Sequence, residues 1–207
     1  GIDRQASRRL INDEFKIPPQ SFLVGMAANM RPVKGADLLL TALKLLPAHV
    51  HVLLIGEVRD PRLKVIAQNP LIKDRVHFAG YRTDAKVLIG GLDVNCAPSR
   101  GREGLTKSIL EGMGQGVPSI VSEAGGLPEL VDDGVNGIVV RTDDAEKLYD
   151  AIIDLSTKGK LLTSIGNEGI SILNSRFNLD DTIQETLLLY RKYKMHNLNI
   201  ADKVNIR

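Results

Sequence analysis

The sequence predicts an α/β fold, a parallel sheet of about six strands with helices on both faces. Three observations lead there. Six short segments are almost wholly apolar, as strands buried on both faces must be. Most of the intervals between them carry apolar residues three and four apart, the spacing of a helix face. No two strand segments follow one another directly, so each connection reads as a helical crossover.

In chain order, a helical segment covers about 3–15 and Pro18-Pro19 ends it. Residues 22–28 form the first strand. Leu39, Leu40, Leu43 and Leu46 then recur at helical spacing, and residues 50–55 form a second strand that stops at Gly56. A helix near 60–68, a strand at 76–78, a helix near 83–90 and a strand at 93–97 continue the alternation. The helix 105–115, the strand 119–121, a short helix near 127–131 and the strand 137–140 follow. A helix through Leu148, Ile152 and Leu155 completes it. Gly56, Gly80, Pro98 and Ser122 fall just past strand ends, so their loops are expected on one rim, where such sheets bind ligands. The last stretch reads as a helix over 179–194 and a fraying polar tail. The resulting division is 1–16 as a linker or helical segment, 17–178 as the main domain and 179–207 as a C-terminal helix and tail. Gly1-Ile2-Asp3 opens directly into a charged helix, the start expected of a piece of a longer chain.

The 207 residues, 43% hydrophobic and 25% charged, suit one well-filled core. A net charge of +2 and an aromatic content of 4% without tryptophan argue against a nucleic-acid partner. No apolar run approaches the ~20 residues of a membrane span. The lone Cys96 excludes an internal disulfide and points to a reducing, cytoplasmic setting. Cys96 itself lies in an apolar strand and reads as a small buried hydrophobe.

The stretch 103–118 concentrates the chemistry. Glu103 follows a Ser-Arg-Gly-Arg loop, and Glu111 lies eight residues on, in a helix that ends at Gly116-Val117-Pro118. Free amides at a helix start, with Arg100 and Arg102 nearby, make an anion site, most often for phosphate. Leu105, Ile109, Leu110 and Met113 define the apolar stripe. At about 100° per residue Glu111 then points roughly 150° away from it. Two readings of Glu111 stand side by side. One is a solvated acid paired with Lys107, worth only ~0.3–0.5 kcal/mol. The other is an acceptor for ligand hydroxyls. A fully helical 103–111 would place the acids about 12 Å apart along the axis, beyond the roughly 5 to 9.5 Å of glycosidase pairs.

Other groups each have a plain reading. Arg82, past a strand end, is a ligand contact or a solvated cation. Glu129 after Gly125-Gly126 reads as a cap of its short helix rather than as a ligand contact. His49, His51, His77 and His196 show no metal-ligand spacing and read as structural or solvated. Tyr190-Arg191-Lys192-Tyr193-Lys194 allows peripheral membrane contact, but basic residues at a helix C-terminus already suit its dipole.

The ordered set Glu103-x7-Glu111, Met113, Gly116, Pro118 and Gly125-Gly126-Leu127-Pro128-Glu129 resembles the C-terminal half of retaining family 4 ("group 1") glycosyltransferases. Lys34-Gly35 before an apolar helix, the strand end at Gly56, Val76-His77-Phe78-Ala79-Gly80-Tyr81, Ala97-Pro98-Ser99, Gly134, Asn136-Gly137 and Phe177 fall at that family's landmarks. The resemblance runs from about 20 to 178. It implies a Rossmann-like domain, one half of the GT-B architecture, that binds a nucleotide-diphosphate sugar for transfer with retention, in cell-envelope polysaccharide or glycolipid synthesis.

The resemblance also implies roles. Glu103 would orient the sugar through its hydroxyls, and the amides of Gly104, Leu105 and Thr106 would cradle sugar and phosphate. Glu111 would accept from the ribose, and Lys34 with an arginine would neutralise the departing diphosphate. The arginine's usual slots hold Ala28 and Asn29. Either Arg31 reaches in or Asn29 donates a neutral hydrogen bond. No metal or other cofactor is implied, and no Asp-x-Asp occurs. Gly112 and Gly114 stand where the family often has alanine. An N-terminal acceptor domain is the implied partner, and without it this chain is expected to bind donor weakly and transfer sugar poorly or not at all. The alternatives are a nucleotide-sugar epimerase or phosphorylase of GT-B type, or a non-catalytic nucleotide-sugar-binding module. Base, sugar and acceptor are not specified by side chains.

Overall fold

The computed structural model describes residues 3–101 and 103–204. Arg102, one of the two arginines read as facing an anion, lies outside the described residues. The chain divides into two compact units, Gly1–Ile170 and Ser171–Arg207.

The first unit holds a sheet of six parallel strands in the order β3-β2-β1-β4-β5-β6. They are β1 (Phe22–Ala27), β2 (Val50–Ile55), β3 (Val76–Gly80), β4 (Val94–Ala97), β5 (Ser119–Ser122) and β6 (Gly137–Val140). Side chains alternate between faces along a strand, and both faces here are covered. Val24, Met26, Val52 and Leu54 point into a core with α2 (Ala36–Leu43), α3 (Arg62–Ala67) and α7 (Ala145–Thr157). Leu23, Leu53 and Ile55 point the other way, against Ile11 of α1 (Arg4–Phe15) and Leu88 and Ile89 of α4 (Ala85–Gly90). Two-sided burial is why the strands read as unbroken apolar runs. Cys96 of β4 is buried, and desolvation pushes its thiol pKa up.

Helix α1 is an integral part of this unit, whereas the sequence division sets 1–16 apart. Asp3 caps it by accepting from the Gln5 and Ala6 amides. Arg8 donates to the Gly91 carbonyl and to Asp93, each at 3.0 Å, and Asp93 accepts from the Leu23 amide at 2.7 Å. The unit ends at Ile170, inside α8 (Gly159–Arg176), and not at 178. Sequence reading leaves α8 out, because Gly159, Gly166 and Gly169 interrupt its periodicity. The packing explains one of them. A Cβ on Gly166 would sit 2.3 Å from the Gly116 carbonyl oxygen, so the close crossing needs glycine.

In the second unit α9 runs Leu179–Val204, past the expected end at 194. No glycine or proline occurs after Gly169 to stop it. Among the described residues no helix is long and apolar enough to cross a membrane.

Candidate functional site

In a sheet of order 3-2-1-4-5-6, the loops after β1 and β4 leave in opposite directions and open a crevice between them. A cleft of about 320 Å³ lies there. From the β1 side it is lined by Ala27, Ala28, Asn29, Arg31 and Lys34, and from the β4 side by Glu103 to Ser108.

Lys34 ends a 3-10 turn, Pro32–Lys34. Proline sets the turn's first dihedral, and Gly35 closes it in the left-handed region at φ 75°. A Cβ on Gly35 would meet the Pro98 carbonyl oxygen at 1.9 Å. Glycine is therefore required twice over, for its dihedral and for the contact that presses the Lys34 turn against the loop after β4. The Lys34 ammonium donates to both carboxylate oxygens of Glu103 at 2.8 Å. Both side chains are largely buried, 20% and 10% exposed. Ser99 donates from Oγ to Glu103 Oε1 at 2.9 Å, and the Glu103 carbonyl accepts from the Gly126 amide at 2.7 Å.

The helix expected at 105–115 begins at Lys107, as α5 (Lys107–Met113), with Thr106 extended at its N-cap. Leu105 is therefore not on the apolar stripe. It precedes the helix and is 58% exposed, while Ile109 and Met113 are buried as expected. A helix leaves its first amides without intrahelical partners, and Lys107 and Ser108, in that turn, line the cleft. Among the described residues Thr106 Oγ1 is buried without a hydrogen-bond partner. Gly112 has a packing role, since a Cβ there would lie 3.2 Å from Asn95 Nδ2. That amide donates to the Ser108 carbonyl at 2.8 Å and ties α5 to β4.

The structure thus brings Asn29, Arg31 and Lys34 together with Glu103, Gly104, Leu105 and Thr106. Arg31 and Asn29 both line the cleft, and neither side chain has a hydrogen-bond partner among the described residues. Glu111 and Arg82 are not in its lining. Glu111 lies a turn along α5, with Lys107 Nζ at 3.5 Å. Arg82 bonds Asp84 at 2.7 Å and Glu14, joining the β3–α4 loop to α1, and these bonds raise its pKa. Arg100, read as part of an anion site, bonds Asp37 at 2.6 Å and Asp143 at 2.5 Å. Its amide donates to the Val33 carbonyl at 2.7 Å, so it fastens the loop after β4 to the Lys34 turn. The Asp37 contact above all holds its pKa up.

Sequence reasoning assigned no role to Ser99, although it marked Ala97-Pro98-Ser99. A serine four residues before a glutamate carries no signal until the loop's return path is known. Among the described residues no group of three His, Cys, Asp or Glu side chains is placed to hold a metal ion.

Comparison with known proteins bears on the family and the fold. The chain is 30% identical over 171 residues to the lipopolysaccharide core biosynthesis mannosyltransferase LpcC of Rhizobium leguminosarum bv. viciae, covering 78% of this chain and 48% of that protein. It is 32% identical over 146 residues to the lipopolysaccharide core biosynthesis glycosyltransferase LpsE of Rhizobium meliloti, covering 70% and 42%. The chain thus spans about half the length of these relatives. The crystal structure of Anabaena HepE in complex with UDP matches with a TM-score of 0.82 at 25% identity, over 90% of this chain and 55% of that one. The C-terminal domain of a Francisella tularensis group 1 glycosyl transferase, LpcC, shares the fold over its whole length, with a TM-score of 0.72, 22% identity and 86% of this chain covered. The model of the family "Glycosyl transferases group 1" matches residues 21–158, two thirds of the sequence, and the chain belongs to that family.

Proposed function

We propose that this chain is the donor-binding half of a glycosyltransferase that moves a sugar from a nucleotide-diphosphate sugar to an acceptor with retention of configuration, in cell-envelope polysaccharide or lipopolysaccharide synthesis. One observation carries the reading. A carboxylate, an ammonium and the first amides of a helix meet in the switch-point crevice of a parallel sheet, where sugar hydroxyls and a diphosphate need acceptors and donors side by side. The relatives in lipopolysaccharide core synthesis and the UDP-bound neighbour support it.

In this reading Glu103 accepts from sugar hydroxyls. Lys34 and the amides near Thr106 take the diphosphate, and Arg31 or Asn29 completes the cation side. Departure of the diphosphate develops negative charge, and pre-placed donors stabilise it more in the transition state than in the ground state. That role needs no divalent ion, and a metal-independent reaction in the cytoplasm is part of the proposal. Glu111 takes the ribose hydroxyls once Lys107 is displaced. The acceptor is supplied by a second domain, and the 207-residue chain alone binds donor weakly and transfers little. Calorimetric titration with UDP, GDP and ADP and their sugars tests the reading. Binding of at least one pair, weakened by Lys34→Met, is the expected result. No binding by any of them would overturn it.

A further inference from the structure

The Glu103 carboxylate has about four lone-pair directions. In the structure Lys34 Nζ lies 2.8 Å from both oxygens, and Ser99 Oγ lies 2.9 Å from one. One direction is left, so a donor that places two hydroxyls on Glu103 must take at least one of the lysine's two contacts, and a diphosphate on Lys34 draws the ammonium further from the carboxylate. An ammonium on a flexible stem can swing from one anion to the other. The carboxylate it leaves is only 10% exposed, and without a remaining donor it would turn toward water or follow the lysine.

Ser99 is the group that stays. Its side chain is neutral and short, and the residue is 2% exposed. Its carbonyl accepts from Ser122 Oγ at 2.5 Å, and Ser122, 1% exposed, sits at the end of β5. The chain of bonds from β5 through Ser99 to Glu103 Oε1 is anchored in the sheet and makes no use of Lys34. Resting on the donor-binding reading above, we propose that Ser99, backed by Ser122, is the positioning residue for Glu103. It holds the carboxylate in hydroxyl-binding geometry while Lys34 exchanges it for the donor diphosphate.

The test is the effect of each variant on a nucleotide sugar relative to its parent diphosphate, measured calorimetrically on the full chain. The probes are UDP with UDP-glucose, GDP with GDP-mannose and ADP with ADP-glucose, and the pair that binds most tightly is used. Ser99→Ala should weaken the sugar nucleotide about tenfold, the scale of one hydrogen bond to a charged group, and the diphosphate less than about twofold. Ser99→Thr, which keeps the hydroxyl, should restore the difference. Ser122→Ala should act in the same direction with a smaller change, and it carries the test if Ser99→Ala does not fold. A purely structural serine would shift both ligands together, and that result overturns the inference. Glu103→Gln separates the two levels. If Glu103→Gln selectively loses the sugar nucleotide and the serine variants do not, only the Ser99 role fails. If Glu103→Gln leaves both ligands unchanged, or none of the pairs binds, the reading of the site fails and the inference with it.

Discussion

At the residue scale the Lys34–Glu103 ion pair joins the two walls of the cleft. Its side chains are too buried for solvent to screen fully. Lys34→Met leaves Glu103 with Ser99 as its side-chain donor, and unfolding titrations should show a loss of about 2 kcal/mol. The same variant should lose about 10–100-fold in diphosphate affinity, the scale of a charge-assisted contact. Glu103→Gln frees the lysine, so diphosphate should bind it at least as tightly as it binds the wild type. A separate residue-scale effect comes from His51 and His77, which stack across β2 and β3 with ring nitrogens 3.1 Å apart. Burial first, and His51 second, push the His77 pKa down to about 4 from 6.5. Burial and then Arg75 push His51 in the same direction. The folded state therefore binds fewer protons than the unfolded chain between these values. Stability is complete above about pH 6.5 and is lost as pH falls toward 4. Because His77 is only half-buried, about 1 kcal/mol is at stake. The melting temperature should drop between pH 7 and 4.5, and His77→Phe should flatten that drop.

At the element scale the site depends on contacts that only glycine permits. Gly35→Ala combines a positive φ with a Cβ 1.9 Å from a carbonyl oxygen. Something must move, and what moves carries Lys34. A loss of at least about 3 kcal/mol in chemical denaturation, with diphosphate binding lost in parallel, is the expected outcome. Elements with strong periodicity were legible at this scale. Strands β2 and β6 occupy the residues expected of them, and α7 is the helix through Leu148, Ile152 and Leu155. Helix α8 was not, because the glycine that allows its close crossing at Gly116 also weakens the pattern by which helices are read. The early start assigned to α5 failed for a related reason. Leu105 fits the apolar spacing, but Thr106 is extended and the helix begins after it.

At the scale of the whole molecule, both walls of the crevice come from this one chain, since β1 and β4 are neighbours in the sheet. Donor binding should then be detectable with the 207-residue chain by itself, while transfer to an acceptor should be absent or slow. Vigorous turnover by that chain alone, measured as sugar transferred, would contradict the division of labour proposed for it. The strand pattern and the apolar periodicity by themselves determined the α/β class, because these depend on local spacing, while Lys34, Glu103, Gly104 and Thr106 became candidates through the resemblance that the motif order carries. Which of the candidates share a cleft was decided by the tertiary structure. The reason is that the loops after β1 and β4 lie far apart in the chain and meet only when the sheet order 3-2-1-4-5-6 sets them side by side. The same long-range pairing turned Arg82 toward Glu14 and Arg100 toward Asp37 and Asp143. It also placed Ser122 behind Ser99 and Ser99 behind Glu103, an alignment across β4 and β5 that no run of adjacent residues records.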